Sequence, residues 1–94
     1  MEIVNEEQRL LRCKSSTDAH KLAGSIYSTY QENPTKPISI RVIGAGSLNQ
    51  AVKASIITNK FFAKKGIVIA LQPSFQDACE NMTAIELKVL FIKS

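Results

Sequence analysis

The sequence predicts a two-layer α/β domain, in which two helices cover one face of a four-stranded mixed sheet in the order β-α-β-α-β-β. Two segments have the apolar spacing of an amphipathic helix, and each lies between strand-like segments. Two apolar strands end the chain, so that two strand–helix–strand crossovers are followed by a hairpin. The 94 residues, 45% hydrophobic and 21% charged, suit a single domain with a modest core.

The first half of the chain supplies a strand, a helix and a second strand. Residues 9–14 alternate as a strand, with Leu11 and Cys13 predicted to face inward and Leu10, Arg12 and Lys14 outward. The first helix begins in the run 15–18, where Ser15 and Asp18 have capping-box spacing, and it ends before Pro34. Its predicted buried face is Ala19, Leu22, Ala23, Ile26 and Tyr30. Residues 38–42 form the second strand.

The second half supplies a longer helix and the hairpin. We predict a helix over residues 47–64, with Ser47 as its N-cap and Gly66 ending it. The face predicted to pack on the sheet comprises Leu48, Ala51, Val52, Ser55, Asn59 and Phe62. Residues 66–71 and 83–93 form the last two strands, and the connection 72–82 is too long for a tight hairpin turn.

A second apolar stripe is predicted on the opposite side of this helix. At about 100° per residue, Ala54, Ile57 and Phe61 fall together, about 180° from the core face. An exposed helix face of this kind needs a cover. We therefore predict a subunit interface in a homodimer or larger homo-oligomer; the alternative is a cover provided by a loop or by the N-terminal arm.

The turn between the second strand and the second helix carries the clearest functional signal. Gly44 and Gly46 let the backbone turn sharply, and the amide groups of the following first helical turn point back at the turn. Such a helix start is suited to an anion such as a phosphate. Asn49, Gln50 and Lys53 add donors on the first turns.

Two other interpretations of this turn differ in strength. A dinucleotide-binding fingerprint is disfavoured, because its third small position is occupied by Asn49, the strand 66–71 ends without an acid, and the chain is too short for a doubly wound domain. The second interpretation, that the glycines only permit close packing of strand on helix, remains open.

Charge and composition restrict the function classes. The net charge is +4, but residues 1–8 form an acidic arm with three acids and no base, so residues 9–94 hold twelve bases and five acids, a net charge of +7. A domain this basic is consistent with a polyanionic partner. The domain organisation is therefore the arm, 1–8, and one domain, 9–94. No apolar run is long enough to span a bilayer, and the start lacks the basic residues of a signal peptide, which favours a cytoplasmic protein without a membrane partner.

No catalytic or metal-binding pattern appears. Cys13 and Cys79 are isolated and lack metal-ligand spacing, and His20 has no partner spaced for a triad. The sequence therefore predicts a non-enzymatic protein without a cofactor.

Residues 43–54, Ile-Gly-Ala-Gly-Ser-Leu-Asn-Gln-Ala-Val-Lys-Ala, resemble the signature of the stage V sporulation protein S family. The run Lys14-Ser15-Ser16 at the start of a helix and the element plan over residues 9–93 also match that family. Its fold is similar to that of Alba, the archaeal chromatin protein, in which the equivalent glycine turn meets nucleic acid. The resemblance implies strand order 1-2-4-3 with an antiparallel last strand, and a role in sporulation or developmental regulation.

With this topology, both helix starts lie at one edge of the sheet. The predicted activity is sequence-tolerant binding of DNA or RNA through phosphates, on the nucleoid if the ligand is DNA. The predicted contact residues are Lys14, Ser15, Ser16, Lys21, Arg41, Gly44, Gly46, Ser47, Asn49, Gln50 and Lys53. Alba proteins commonly have an Arg at the turn and a basic hairpin between the last two strands. In this sequence, Ile43 precedes Gly44 at the turn, and the connection 72–82 is net acidic. Alternatives are a protein–protein scaffold and a binder of a small phosphorylated ligand.

Overall fold

The computed structural model describes residues 9–79 and 82–93 and has the predicted architecture. The predicted acidic arm, residues 1–8, lies outside the described residues. The strands are β1 (Arg9–Cys13), β2 (Ile38–Val42), β3 (Ile67–Cys79) and β4 (Met82–Lys93). The helices are α1 (Ala19–Glu32) and α2 (Ala45–Phe62), and a 3-10 turn, Ala63–Lys65, follows α2. The sheet order is β1-β2-β4-β3, with β1 and β2 parallel and β4 antiparallel to both neighbours, which confirms the predicted order.

The core lies between the helices and one face of the sheet. Ile38, Ile40 and Val42 alternate along β2 and are buried, as are Leu11 and Cys13 of β1. The predicted buried face of α1 is confirmed at its first four positions, while Tyr30 packs against the core and is half-buried. Alternation along short strands therefore located the core side of the sheet correctly.

Five aromatic side chains form one cluster at the end of the core where α2 ends. The Phe62 ring lies at its centre, with ring centroids 5.2 Å from Tyr27, 4.9 Å from Tyr30 and 5.4 Å from Phe91. Phe61 adds an edge-on contact to Tyr27 at 5.8 Å. Edge-on and tilted pairs at these separations add to the stabilisation that burial of the rings provides.

The predicted core face of α2 is wrong at several positions. Its buried residues are Ser47, Ala51, Ala54, Thr58 and Phe62, whereas Val52 is 42% exposed. Small side chains let α2 approach the sheet closely, so size outweighed hydrophobicity in orienting the helix. The two buried hydroxyls are satisfied within the helix region: Thr58 Oγ1 donates to the Ala54 carbonyl at 2.7 Å, and Ser47 Oγ donates to the Ile43 carbonyl at 2.6 Å.

This orientation also corrects the predicted interface stripe. Ala54 is fully buried and belongs to the core, so it cannot take part in an exposed stripe. Ile57 is half-buried against the core, and Phe61 is 43% exposed. The large apolar residue most exposed on α2 is Ile56, at 55%.

The last two strands are longer than predicted. Residues 72–79, predicted to belong to a connection, continue β3 as a ladder with β4, with a register irregularity between Asp77 and Cys79. The predicted strand is too short because the uninterrupted apolar run on which the prediction rests stops at Leu71. Pro73 is compatible with a strand here because β3 is at the edge of the sheet.

Candidate phosphate-binding site

The turn from β2 into α2 has the backbone geometry that the glycine pair predicts. Gly44 has φ +89° and ψ 161°, a conformation that L side chains rarely adopt, and it is the N-cap of α2. The helix therefore begins at Ala45, before the predicted N-cap Ser47, whose hydroxyl donates to carbonyls of the turn. No side chain caps the start of α2 within the described residues, and Gly44, Ala45 and Gly46 are exposed. The first amide groups of α2 thus face outward, as an anion site requires.

The loop between β1 and α1 packs against this helix start. A Cβ atom on Gly46 would lie 2.9 Å from Ser15 Cβ, so the absence of a side chain permits the approach. Gln50 Nε2 donates to the Thr17 carbonyl at 2.7 Å, and the buried Cys13 Sγ lies 3.5 Å from the Ser47 carbonyl. These contacts bring the predicted contact residues of the two loops together.

Two hydrogen bonds that Thr17 accepts are structural and were not predicted from the sequence. Thr17 Oγ1 accepts from the Lys14 backbone N–H at 2.8 Å and closes the turn after β1. Gln50, predicted as a phosphate donor, is engaged by its bond to Thr17. Burial raises the pKa of the Cys13 thiol, and a hydrogen bond with Thr17 partly offsets this rise.

The start of α1 differs from the start of α2. Asp18, and not Ser15, is its N-cap, and its Oδ1 accepts from the backbone N–H groups of His20 at 2.8 Å and Lys21 at 3.2 Å. The pKa of Asp18 is lowered because the N–H of Lys21, and next that of His20, stabilises the carboxylate. A negative charge therefore already occupies the start of α1. Of the two helix starts predicted to bind an anion, only the start of α2 remains a candidate.

Charged and amide side chains surround the start of α2. Lys14, Lys21, Asn49 and Lys53 are exposed. Lys53 lines a groove of about 580 Å³ between α1 and α2, together with Ser16, His20, Gln50 and Ile56. Because Lys53 and Ile56 are themselves exposed, this is an open groove and not a closed pocket.

Arg41 does not join this site. It alternates with the buried Ile40 and Val42, and therefore projects from the sheet face opposite the helices. There its guanidinium lies 3.6 Å from Glu86 of β4. Its predicted role as a charge at the phosphate site is not supported by this placement.

Residues 9–79 and 82–93 contain no group of three or more His, Cys, Asp or Glu residues arranged to hold a metal ion. No helix in this part of the chain is long and apolar enough to cross a membrane.

Fold and site together define a small two-layer α/β domain built around a strand, a glycine turn and a helix start that lacks a side-chain cap. The family model described as Stage V sporulation protein S (SpoVS) matches residues 9–92. The chain therefore belongs to the stage V sporulation protein S family.

Proposed function

We propose that this domain is a non-enzymatic module that binds the phosphate backbone of nucleic acid. Its biological role is in sporulation or developmental regulation. The observation that carries the proposal is the start of α2. Its N-cap is a glycine at φ +89° without a side-chain cap, and residues 44–46 are exposed. Gly46 lies against Ser15, the neighbour of the exposed Lys14, and Lys53 lies about two turns into the helix. Backbone amides and lysines at one helix start favour phosphate without reading base sequence.

The charge distribution supports a polyanionic ligand. Residues 9–94 carry a net charge of +7, and α2 contains two lysines and no acid. Contacts of this kind release counterions, so affinity falls as salt rises, with a log–log slope of about 0.9 per neutralised phosphate on B-DNA. The expected binding is sequence-tolerant and salt-sensitive. A DNA ligand would place the protein on the nucleoid in the cytoplasm.

The small-ligand alternative predicts a closed pocket. The groove beside Lys53 is open, whereas a small ligand needs a concave site that buries most of its surface. Nucleic acid therefore fits this end of the domain better than a small phosphorylated molecule does.

A pair of matched double variants tests the proposal. Lys14→Ala/Lys53→Ala removes one charge from the β1–α1 loop and one about two turns into α2, whereas Lys60→Ala/Lys64→Ala removes two exposed charges at the other end of the same helix region. In mobility-shift titrations at two salt concentrations, the first variant is expected to lose most of its affinity and to lower the salt slope by about 1.8. The second is expected to retain the wild-type slope.

Equal losses in the two variants would mean that binding depends on overall charge and not on the start of α2. A wild-type protein that shifts neither single- nor double-stranded DNA or RNA at low salt would leave the scaffold alternative as the better account.

A further inference from the structure

Phe75 stands apart from the other aromatic residues of the chain. Tyr27, Tyr30, Phe61, Phe62 and Phe91 pack in one cluster, whereas Phe75 is 79% exposed on β3 and has no ring contact among the described residues. A ring this exposed gains little from burial, so it adds little to the stability of the fold. Its presence on the surface calls for a different explanation.

The register of the sheet places Phe75 level with the start of α2. Val42, the last residue of β2, pairs with Ile85, which pairs with Phe75. Phe75 therefore lies two strands from the end of β2, at a distance of about 10 Å. Directly paired residues project to the same face, so the ring lies on the helix side of the sheet, as Val42 and Ile85 do.

The helix layer leaves this part of β3 uncovered. Along the helix side of β3, Ile67 is buried, Leu71 is half-buried, and Pro73 and Phe75 are exposed. Val52 faces the same space: it lies about two helical turns before Asn59, whose Oδ1 accepts from the Ile69 backbone N–H at 3.0 Å. Val52, Pro73 and Phe75 thus form an open apolar surface beside the start of α2, which we call the shelf.

We propose that the shelf binds the unpaired bases of a single-stranded nucleic acid, with Phe75 as the stacking platform, while the phosphates lie at the start of α2. This inference rests on the proposed function and narrows its substrate class. Only unpaired bases present a free face to a side chain, and base–aromatic stacking tolerates any sequence. The composition agrees with this arrangement: residues 72–76 around Phe75 carry no charge, which suits contact with a neutral base.

The test compares single strands of equal charge, with and without bases, and adds a duplex, whose bases are paired although it carries more phosphates. The probes are fluorescein-labelled oligothymidylate, oligouridylate, an abasic deoxyribose-phosphate strand and a duplex, each of about 15 nucleotides. Wild-type protein is expected to bind both base-bearing single strands about tenfold or more tighter than the abasic strand and the duplex. Phe75→Ala is expected to remove this preference while leaving abasic binding within about twofold, because phosphate contacts are unchanged.

Two further variants and one control test whether the preference depends on an aromatic ring at position 75. Phe75→Tyr and Phe75→Trp retain a stacking face and should restore the preference. Phe61→Ala removes the other exposed Phe, at the far end of α2, and should not change it. Circular dichroism verifies that each variant is folded, and light scattering records its oligomeric state.

The proposal is overturned if Phe75→Ala binds thymidylate and the abasic strand in the wild-type ratio. It is also overturned if Phe75→Ala instead converts an oligomer to a monomer, since a second copy of the chain then covers the shelf. In both cases, salt-sensitive binding that depends on Lys14 and Lys53 leaves the proposed function standing; wild-type protein that binds none of the probes removes both.

Discussion

At the residue scale, the site depends on two glycines with different requirements. Gly44 needs a positive φ, whereas Gly46 needs the space that a side chain would take from Ser15. Neither requirement is a contact with a ligand. The turn geometry thus accounts for Gly44 and close packing against the β1–α1 loop accounts for Gly46, while an anion site uses the backbone that is exposed at this helix start.

Gly46→Ala is expected to destabilise the fold by about 1–3 kcal/mol, because its Cβ would lie 2.9 Å from Ser15 Cβ and the backbone would have to shift. Ser15→Gly in the same chain removes the clashing atom and should recover part of the loss. Gly24→Ala in α1 is the control: nothing lies within 4 Å of its Cβ, so it should stabilise by roughly 0.5–1 kcal/mol. Urea unfolding measures all three, and an unchanged midpoint for Gly46→Ala contradicts the packing account.

Asp18 is expected to make the stability depend on pH at the acidic end. Its folded-state pKa is lowered by the N–H groups of Lys21 and His20, so its contribution is present above about pH 4 and is lost as the pH falls through the lower folded-state value. Asp18→Ala should lower the melting temperature at pH 7, and the difference from wild type should shrink in acid. Asp18→Asn, which also caps a helix, should keep most of the stability and lose this pH dependence. Identical acid profiles for wild type and Asp18→Asn would rule out the carboxylate as the cause.

At the scale of elements, β3 is an edge strand that α2 and a proline protect. The Ile69 N–H, which faces away from β4, donates to Asn59 of α2, and Pro73 further along the same edge has no N–H to offer. Both features make pairing with another strand less favourable. An additional strand at this edge is therefore a poor explanation for the exposed Phe75.

Asn59→Ala is expected to cost about 1 kcal/mol, because the Ile69 N–H loses its acceptor in a partly buried setting. The Ile69 amide should also exchange faster with solvent, measured by hydrogen-exchange NMR. Asn49→Ala, at an exposed position of the same helix, should change stability by no more than about 0.5 kcal/mol. Equal effects of the two substitutions would show that the Asn59 bond contributes nothing.

At the scale of the whole molecule, the two ends of the domain differ. The aromatic cluster and the end of α2 form one end, while the glycine turn and the β1–α1 loop form the other. Lys65 lies 5.2 Å from the centre of the Tyr27 ring, so one lysine of the first end has a structural contact. The two double lysine variants of the binding test remove charges from these two different parts of the domain, so their effects can be compared.

A homodimer or larger oligomer remains a prediction, and Phe61 is the one residue of the predicted stripe that is exposed, at 43%. Phe61→Glu is expected to shift the oligomer toward monomer while the circular dichroism spectrum stays unchanged, because a charge would be buried in the interface. Ser28→Glu places the same charge at an exposed position of α1 and should have no effect. Light scattering at tens of micromolar measures the outcome; wild-type protein that is monomeric there contradicts the prediction.

Three features could be predicted from the sequence: the element order, the core side of the short strands, and the glycine turn that opens α2. Each of these follows from local periodicity or from the conformational range of glycine, which neighbouring elements do not change. Membership of the stage V sporulation protein S family followed from the resemblance of residues 43–54 and 14–16 and of the element plan, and the match over residues 9–92 confirms it.

Four features could not be predicted, because they depend on contacts between distant segments: the orientation of α2, the length of β3 and the positions of Arg41 and Phe75. Small buried residues such as Ala54 turn α2 toward the sheet, because backbone approach depends on the size of side chains and not on their hydrophobicity. β3 continues past Leu71 because β4 supplies its hydrogen-bond partners, which no pattern within residues 72–79 reveals. Cross-strand register is a property of chain segments far apart in sequence, and it alone places Phe75 beside the start of α2.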